Sequence, residues 1–232
     1  MGPCSRANAR LGRRRSHIVN RDIALDAVRS RRRPYDTIVI GGGATGAGIA
    51  LDAASRKLDV LLLEARDFGS GTSSRSTKII PGGVRYLAQG RSGLVREALR
   101  ERACLLRNAA HLVHPLAFLV PVENTWERLK YFAGLHAYDA LAGRNRLHAC
   151  SWLGRNELER AVDGIDTTRL NGAMRYFDGQ FDDTRLLINV LDTAVDMGAT
   201  AINYAEVVEL GEAAAGQARK SVVAGGTWGR RR

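Results

Sequence analysis

Residues 35–65, YDTIVIGGGATGAGIALDAASRKLDVLLLEA, decide the fold. YDTIVI (35–40) is rich in β-branched residues and reads as a short buried strand. GGGATGAGIALDAASR then turns into a helix whose small residues (Ala47, Gly48, Ala50, Ala53, Ala54) allow close approach to a sheet. DVLLLEA (59–65) is a second buried strand, so the stretch is strand, glycine turn, helix, strand: a βαβ opening. Gly41, Gly43 and Gly46 form G-x-G-x-x-G between strand and helix. The first glycine supplies the tight turn, the second admits a pyrophosphate against the backbone, and the third seats helix on strand. The N–H groups and dipole of the helix N-terminus favour that anion. Glu64 ends the second strand, 23 residues after Gly41, where a carboxylate accepts hydrogen bonds from ribose hydroxyls. The segment is a dinucleotide site.

Whether the dinucleotide is NAD or FAD turns on the next stretch, SGTSSRSTKIIPGGVRYL (70–87). Ser70, Thr72, Ser73, Ser74, Ser76 and Thr77 put six hydroxyls into eight positions. Glu64 serves either cofactor. The longer FAD needs neutral donors beyond the first helix, and hydroxyls with backbone N–H groups supply them. A solvated Ser/Thr loop has the same composition.

The net charge of +11 belongs to the ends of the 232-residue chain. Residues 1–34 hold ten arginines against Asp22 and Asp26, residues 213–232 contribute five further cations, and residues 35–212 carry 20 Lys/Arg against 22 Asp/Glu. A nucleic-acid groove belongs on the folded body, so a nucleic-acid protein is not expected; attraction of the arms to anionic lipid is an equal alternative. No run approaches the roughly 18 apolar residues of a membrane span. The Arg-rich N-terminus, free of acids until Asp22, resembles a mitochondrial transit peptide; a disordered leader or an upstream start codon also accounts for it. Cys4, Cys104 and Cys150 lie far apart without a C-x-x-C pair, which fits a reducing compartment and no zinc site.

Further along, residues 92–113 read as an amphipathic helix, FLVPV as a strand, and 125–142 and 151–161 as helices. NGAMRYFDGQFDD is a strand entering an acidic turn, TRLLINVLDTAVDMGA a helix closed by Gly198, and TAINYAEVVEL a closing strand. The organisation expected is a basic disordered arm (1–34), one body (35–210) and an irregular basic tail (211–232).

With these segments in hand, VIGGGATGAGIALDAASR, LLLEARDFGSGTSSRSTK, GGVRYLAQG, LVREALRERACLLRNAAHLVHPL and FDGQFDDTRL resemble the FAD-dependent glycerol-3-phosphate dehydrogenases from about Tyr35 to Leu210. The resemblance implies an α/β fold: a Rossmann-like FAD-binding domain of the glucose-oxidase/amino-acid-oxidase type, incomplete, with part of the substrate domain. It implies oxidation of sn-glycerol 3-phosphate to dihydroxyacetone phosphate, with electrons passed to a quinone by a peripheral membrane flavoprotein. The setting is then the inner (cytoplasmic) membrane surface, or the mitochondrion if the arm is a transit peptide. By the resemblance Gly41, Gly43, Gly46 and Glu64 hold the ADP half of FAD. Thr72, Ser73, Ser76, Thr77 and Lys78 line the pyrophosphate-to-flavin stretch, and Arg85 lies on the substrate side. The alternatives are an inactive FAD-domain fragment, or an FAD oxidoreductase of the same fold acting on an amine or amino acid.

Three departures stand out. The family reads His-Gly-Gly-x-Arg where this chain has Pro81-Gly82-Gly83-Val84-Arg85, so the imidazole that would take the substrate hydroxyl proton is replaced by a residue with nothing to titrate. The family has glycine where Lys57 follows the helix, and lysine in a left-handed cap costs about 1 kcal/mol. The chain ends at Arg232, without the family's later Ala-Thr-Gly strand, its Gly-Gly-Lys segment and its phosphate-gripping arginines, as after a frameshift or premature end. His111 and His114 are expected to cap or pack at the end of the long helix. Asp178, Asp182 and Asp183 are expected at a helix N-terminus starting at Thr184, not around a metal. Cys104 is expected in the core.

Overall fold

The computed structural model describes residues 20–210 and 221–225. In chain order the helices are α1 (Arg21–Ser30), α2 (Ala44–Ser55), α3 (Val84–Ala88), α4 (Ser92–Asn108), α5 (Thr125–Ala142), α6 (Arg155–Ala161) and α7 (Asp183–Asp196). The strands are β1 (Thr37–Ile40), β2 (Val60–Leu63), β3 (Ile79–Ile80), β4 (Val113–Val122), β5 (Ser151–Gly154), β6 (Gly172–Phe181), β7 (Thr200–Ile202), β8 (Ala205–Leu210) and β9 (Ser221–Gly225). The chain divides into two compact units. One combines residues 1–75 with 187–232, and the other is the intervening 76–186.

The discontinuous unit is built on a parallel sheet of order β1-β2-β7, with Val39 beside Leu62 and Leu62 beside Ala201. Parallel strands need both faces covered, and the side-chain alternation of β2 meets that need. Val60 and Leu62 pack with Ala47, Ala50 and Ala54 of α2 and Leu187, Leu191 and Ala194 of α7. Leu61 and Leu63 face the other way, onto Ala24, Leu25 and Val28 of α1. Ala47, Ala50, Ala53 and Ala54 of α2 do what the sequence suggests, all but fully buried where helix and sheet meet at short range, whereas Gly48, expected on the same face, is exposed.

The inserted unit is antiparallel. β6 is flanked by β4 and by β3 and β5, with ten residue pairs running from Val113↔Phe181 to Val122↔Gly172. Met174 and Tyr176 from β6 pack with residues of α3, α4 and α5, including Val84, Leu135 and Tyr138.

Several expectations need correcting. Residues 21–30, assigned to a disordered arm, form α1. Asn20 caps it by accepting from the N–H groups of Asp22 and Ile23, and Arg21 Nε donates to the Asn203 carbonyl. The long helix ends at Asn108 and not at 113, because β4 begins at Val113 and pairs through Pro115 with β6. His114 is therefore a strand residue, its Nε2 3.0 Å from Gln180 Oε1. The 151–161 helix splits into β5 and α6, and the closing strand is broken by Tyr204 at φ 50°. Cys104 is half-exposed and not a core residue. The expectations for residues 1–19, 211–220 and 226–232 lie outside the described residues.

Candidate FAD site

The glycine turn has the geometry that its spacing suggests. Gly41 adopts φ 108°, and its N–H donates to the Leu63 carbonyl at 2.8 Å, tying the turn to β2. A Cβ on Gly46 would run into the Gly41 carbonyl oxygen and lie 3.4 Å from Val39 Cγ1, so only glycine lets α2 start this close to β1. A Cβ on Gly43 would sit 3.1 Å from Ser73 Oγ. Gly43 is the N-cap of α2 and offers no side-chain acceptor to the first turn, which leaves that turn's N–H groups without the usual Ser, Thr or Asp cap. Ser73 Oγ takes one of them, the Ala44 N–H at 2.9 Å.

Glu64 is engaged more locally than expected. Its Oε2 accepts the Gly42 N–H at 2.6 Å and its Oε1 the Arg66 N–H at 2.8 Å. Each carboxylate oxygen has a second lone pair, so the group braces the turn and retains acceptor capacity for a ribose. The described residues thus fit an ADP moiety: a turn that leaves no room for a Cβ at Gly46, a helix N-terminus whose cap residue brings no side-chain acceptor, and a carboxylate beside it.

The hydroxyl run does not act as one surface. Thr72 and Ser73 lie in a single 3-10 turn, Thr72–Ser74, in the discontinuous unit. Ser76, Thr77 and Lys78 begin the inserted unit. There Asp183 gathers two of them. Its Oδ2 accepts the Ser76 hydroxyl (2.7 Å) and N–H (3.2 Å), and its Oδ1 accepts Lys78 Nζ at 2.6 Å. The Lys78 ammonium, with the Ser76 hydroxyl, holds the Asp183 carboxyl well below the usual carboxylate range, and Asp183 in turn raises Lys78. Lys78 reaches this position with φ 57°, a left-handed backbone unusual for a side-chain-bearing residue. Thr77 is exposed.

The three aspartates also divide. Asp182 Oδ1 caps α7 by accepting the Arg185 N–H, and Asp183 is the first helical residue, so the helix starts one residue earlier than expected. Asp178 does not belong there at all. It is buried in β6, where both its oxygens accept the Gly82 N–H (2.8 and 3.0 Å) and Oδ1 meets Arg102 Nη1 at 2.7 Å. Arg102 also donates to Tyr138 Oη (3.2 Å) and to the Asn145 carbonyl (3.3 Å), while its Nε has no partner. Burial, then the Asp178 charge, pushes the Tyr138 hydroxyl far above its ordinary value. The network leaves one signal in the sequence, an arginine at a buried position of the amphipathic α4. Pro81 precedes the pinned Gly82 and is exposed, Gly83 follows with φ 90°, and Arg85 sits exposed in the first turn of α3. Among the described residues, no cluster of three or more His, Cys, Asp or Glu is placed to hold a metal. No helix among them is long and apolar enough to cross a membrane.

This geometry agrees with what the chain resembles. The family of FAD dependent oxidoreductases matches residues 36–232. The mitochondrial glycerol-3-phosphate dehydrogenase of Schizosaccharomyces pombe is 43% identical over 183 residues, covering 76% of this chain and 28% of the relative. The human mitochondrial glycerol-3-phosphate dehydrogenase is 44% identical over the same length, covering 76% of this chain and 25% of its own. The chain therefore spans between a quarter and a third of these relatives. Among solved structures, the Bacillus halodurans glycerol-3-phosphate dehydrogenase complexed with FAD superposes with a TM-score of 0.59 at 30% identity, over 83% of this chain and 30% of that one. The FAD-bound L-alpha-glycerophosphate oxidase of Mycoplasma pneumoniae, at 16% identity and TM-score 0.60, shares the fold over 83% of this chain and 50% of its own. A turn that only glycine can form and a family match over residues 36–232 lead to one assignment: the chain belongs to the FAD dependent oxidoreductase family.

Proposed function

We propose that this chain takes part in the flavin-dependent oxidation of sn-glycerol 3-phosphate to dihydroxyacetone phosphate. The observation that carries the reading is identity of 43–44% over 183 residues with glycerol-3-phosphate dehydrogenases, far beyond the glycine turn that the whole family shares. Gly41, Gly43 and Gly46 receive the pyrophosphate at the start of α2, Glu64 takes the ribose hydroxyls, and Thr72, Ser73, Ser76, Thr77 and Lys78 extend the polar lining. FAD, when bound, supplies the hydride acceptor for carbon 2 of the substrate. Arg85 fixes the anionic substrate. Electrons leave to a quinone at a membrane surface, and the mitochondrial relatives favour the mitochondrial setting over the cytoplasmic membrane.

Pro81 favours a second reading, in which the cofactor is held and oxidation is slow. A proton must leave the substrate hydroxyl as the hydride leaves carbon 2, and residue 81 offers no group to accept it. The test is to titrate FAD into the purified chain, follow quenching of flavin fluorescence, and then add glycerol 3-phosphate without oxygen while recording absorbance near 450 nm. Binding that Gly46→Val abolishes, followed by bleaching at a rate that Pro81→His leaves unchanged, supports the first reading, and slow bleaching that Pro81→His accelerates supports the second. Binding with bleaching by an amino acid instead would move the chain to the amine-oxidising branch of the fold.

A further inference from the structure

Gly82 is where β6 takes hold of the turn before α3. Its N–H is aimed between the two carboxylate oxygens of Asp178, 96 residues later in the chain. No larger residue fits at 82: a Cβ would collide with the Tyr138 hydroxyl and lie 2.9 Å from Leu99 Cδ2. Asp178 is 4% exposed and Arg102, its counter-charge, 1% exposed. A fully buried ion pair is a weak device for stability alone, since desolvating both charges offsets most of their attraction and a packed apolar pair often serves as well. What an apolar pair cannot do is grip a backbone N–H through two charge-assisted hydrogen bonds. The grip fixes one end of a turn whose next residue, Gly83, is in the left-handed region and which leads into α3, a helix of only five residues. Arg85 lies in the first turn of that helix. Its charge reaches Tyr176, which also feels Asp178 and stacks on Phe118 at 5.2 Å.

We propose that Asp178, backed by Arg102 and Tyr138, is a positioning residue for the substrate: by fixing the 81–83 turn it makes α3 present Arg85 to a phosphate monoester in one orientation. This rests on the substrate-side reading of Arg85 under Proposed function. The ion pair is retained for the geometry of the turn, and its stabilising contribution is secondary.

The experiment uses the 232-residue chain, loaded with FAD and labelled with ¹⁵N, and compares wild type with Asp178→Asn, Arg102→Met/Asp178→Leu and Arg85→Met. The double variant leaves no charge buried alone, so it folds even where Asp178→Asn does not. Two readouts separate the pinning of the turn from its effect on substrate binding. Hydrogen exchange at the Gly82 amide is expected to quicken at least 100-fold in the double variant, while amides of β2 keep their protection. Titration with glycerol 3-phosphate, followed at the Gly83 and Arg85 amides, is expected to show affinity lowered at least tenfold in the double variant and in Arg85→Met. Wild-type exchange at Gly82 in the double variant, or wild-type affinity despite a released Gly82, overturns the proposal. A wild-type chain whose turn amides do not respond to glycerol 3-phosphate refutes the substrate reading of Arg85 and removes the purpose assigned to Asp178; the exchange arm then still reports whether the turn is pinned.

Discussion

Two helices of the discontinuous unit close with the same backbone bonds and different residues. After α2 the Leu58 N–H donates to the Ala53 carbonyl and the Lys57 N–H to that of Ala54; after α7 the Ala199 N–H donates to Ala194 and the Gly198 N–H to Val195. Both are Schellman closures, which place one residue in the left-handed region. Gly198 does so with φ 109°, and Lys57 with φ 67°. Lys57→Gly should therefore stabilise the protein. Relief of the Cβ clash is worth about 1–2 kcal/mol, and the extra freedom of glycine in the unfolded chain takes back roughly 0.4–1 kcal/mol. The net is about 0.5–1 kcal/mol, or ~1–4 °C in Tm for a chain of this size. Lys57 is exposed, so little packing is lost. Urea unfolding followed by circular dichroism measures the effect. Lys57→Ala is the control, because it removes the ammonium and keeps the strain, and it should gain nothing. Gly198→Lys should lose a similar amount, since no atom lies within 4 Å of where its Cβ would stand and only backbone strain is added. Equal gains from Lys57→Gly and Lys57→Ala would show that charge and not backbone geometry is responsible, and the strain assigned to Lys57 would be wrong.

Other perturbations test the inserted unit. Asp178→Ala alone should destabilise by about 3–5 kcal/mol, because it strands the Arg102 guanidinium in the interior, whereas Arg102→Met/Asp178→Leu, which strands no charge and orphans only the Gly82 N–H, should lose about 1–3 kcal/mol in urea unfolding. Asp183 has a depressed pKa, so its stabilising contribution is complete above the ordinary carboxylate value of about 4 and drains away as pH falls below it. Stability measured between about pH 5 and pH 2 should accordingly fall less steeply in Asp183→Asn than in wild type. Cys150 is buried, and desolvation followed by the Asp139 charge pushes its thiol up to about 11. At pH 8 a disulfide reagent should therefore modify Cys104 first and leave Cys150 intact until the chain unfolds, as peptide mapping would show.

The parts of the site that were legible in sequence are those in which backbone geometry selects the residue. Gly41 and Gly46 answer to a positive φ and to a carbonyl with no room beside it, and both constraints act within a few positions of chain. Lys57 was legible for the same reason. Asp178 was not, because its partners Gly82, Arg102 and Tyr138 lie 96, 76 and 40 residues away and nothing local distinguishes it from Asp182 or Asp183. The helix end at Asn108 was hidden because Ala109, Leu112 and Val113 keep an apolar spacing compatible with continuation. Those three residues are buried against Ile80, Leu105, Phe181 and Leu186, and pairing of β4 with β6 prevails over the local pattern. The hydroxyl run has one composition and two destinations: Asp183 claims Ser76 and Lys78, and Ser73 turns to α2, which spacing along the chain does not reveal.

The insertion of one unit inside the other has a consequence for synthesis. β2 pairs with β7, Leu63 beside Ile202, so the strand at the centre of the parallel sheet leaves the ribosome about 139 residues before its second neighbour. At roughly 5–20 residues per second the interval is on the order of 7–28 s. Throughout it Leu62 lacks Leu191 and Ala201, two of the side chains that will bury it, while residues 76–186 have everything they need to fold behind it. The nascent chain thus completes its inserted unit first, and its glycine turn waits on a strand edge that a chaperone has reason to guard.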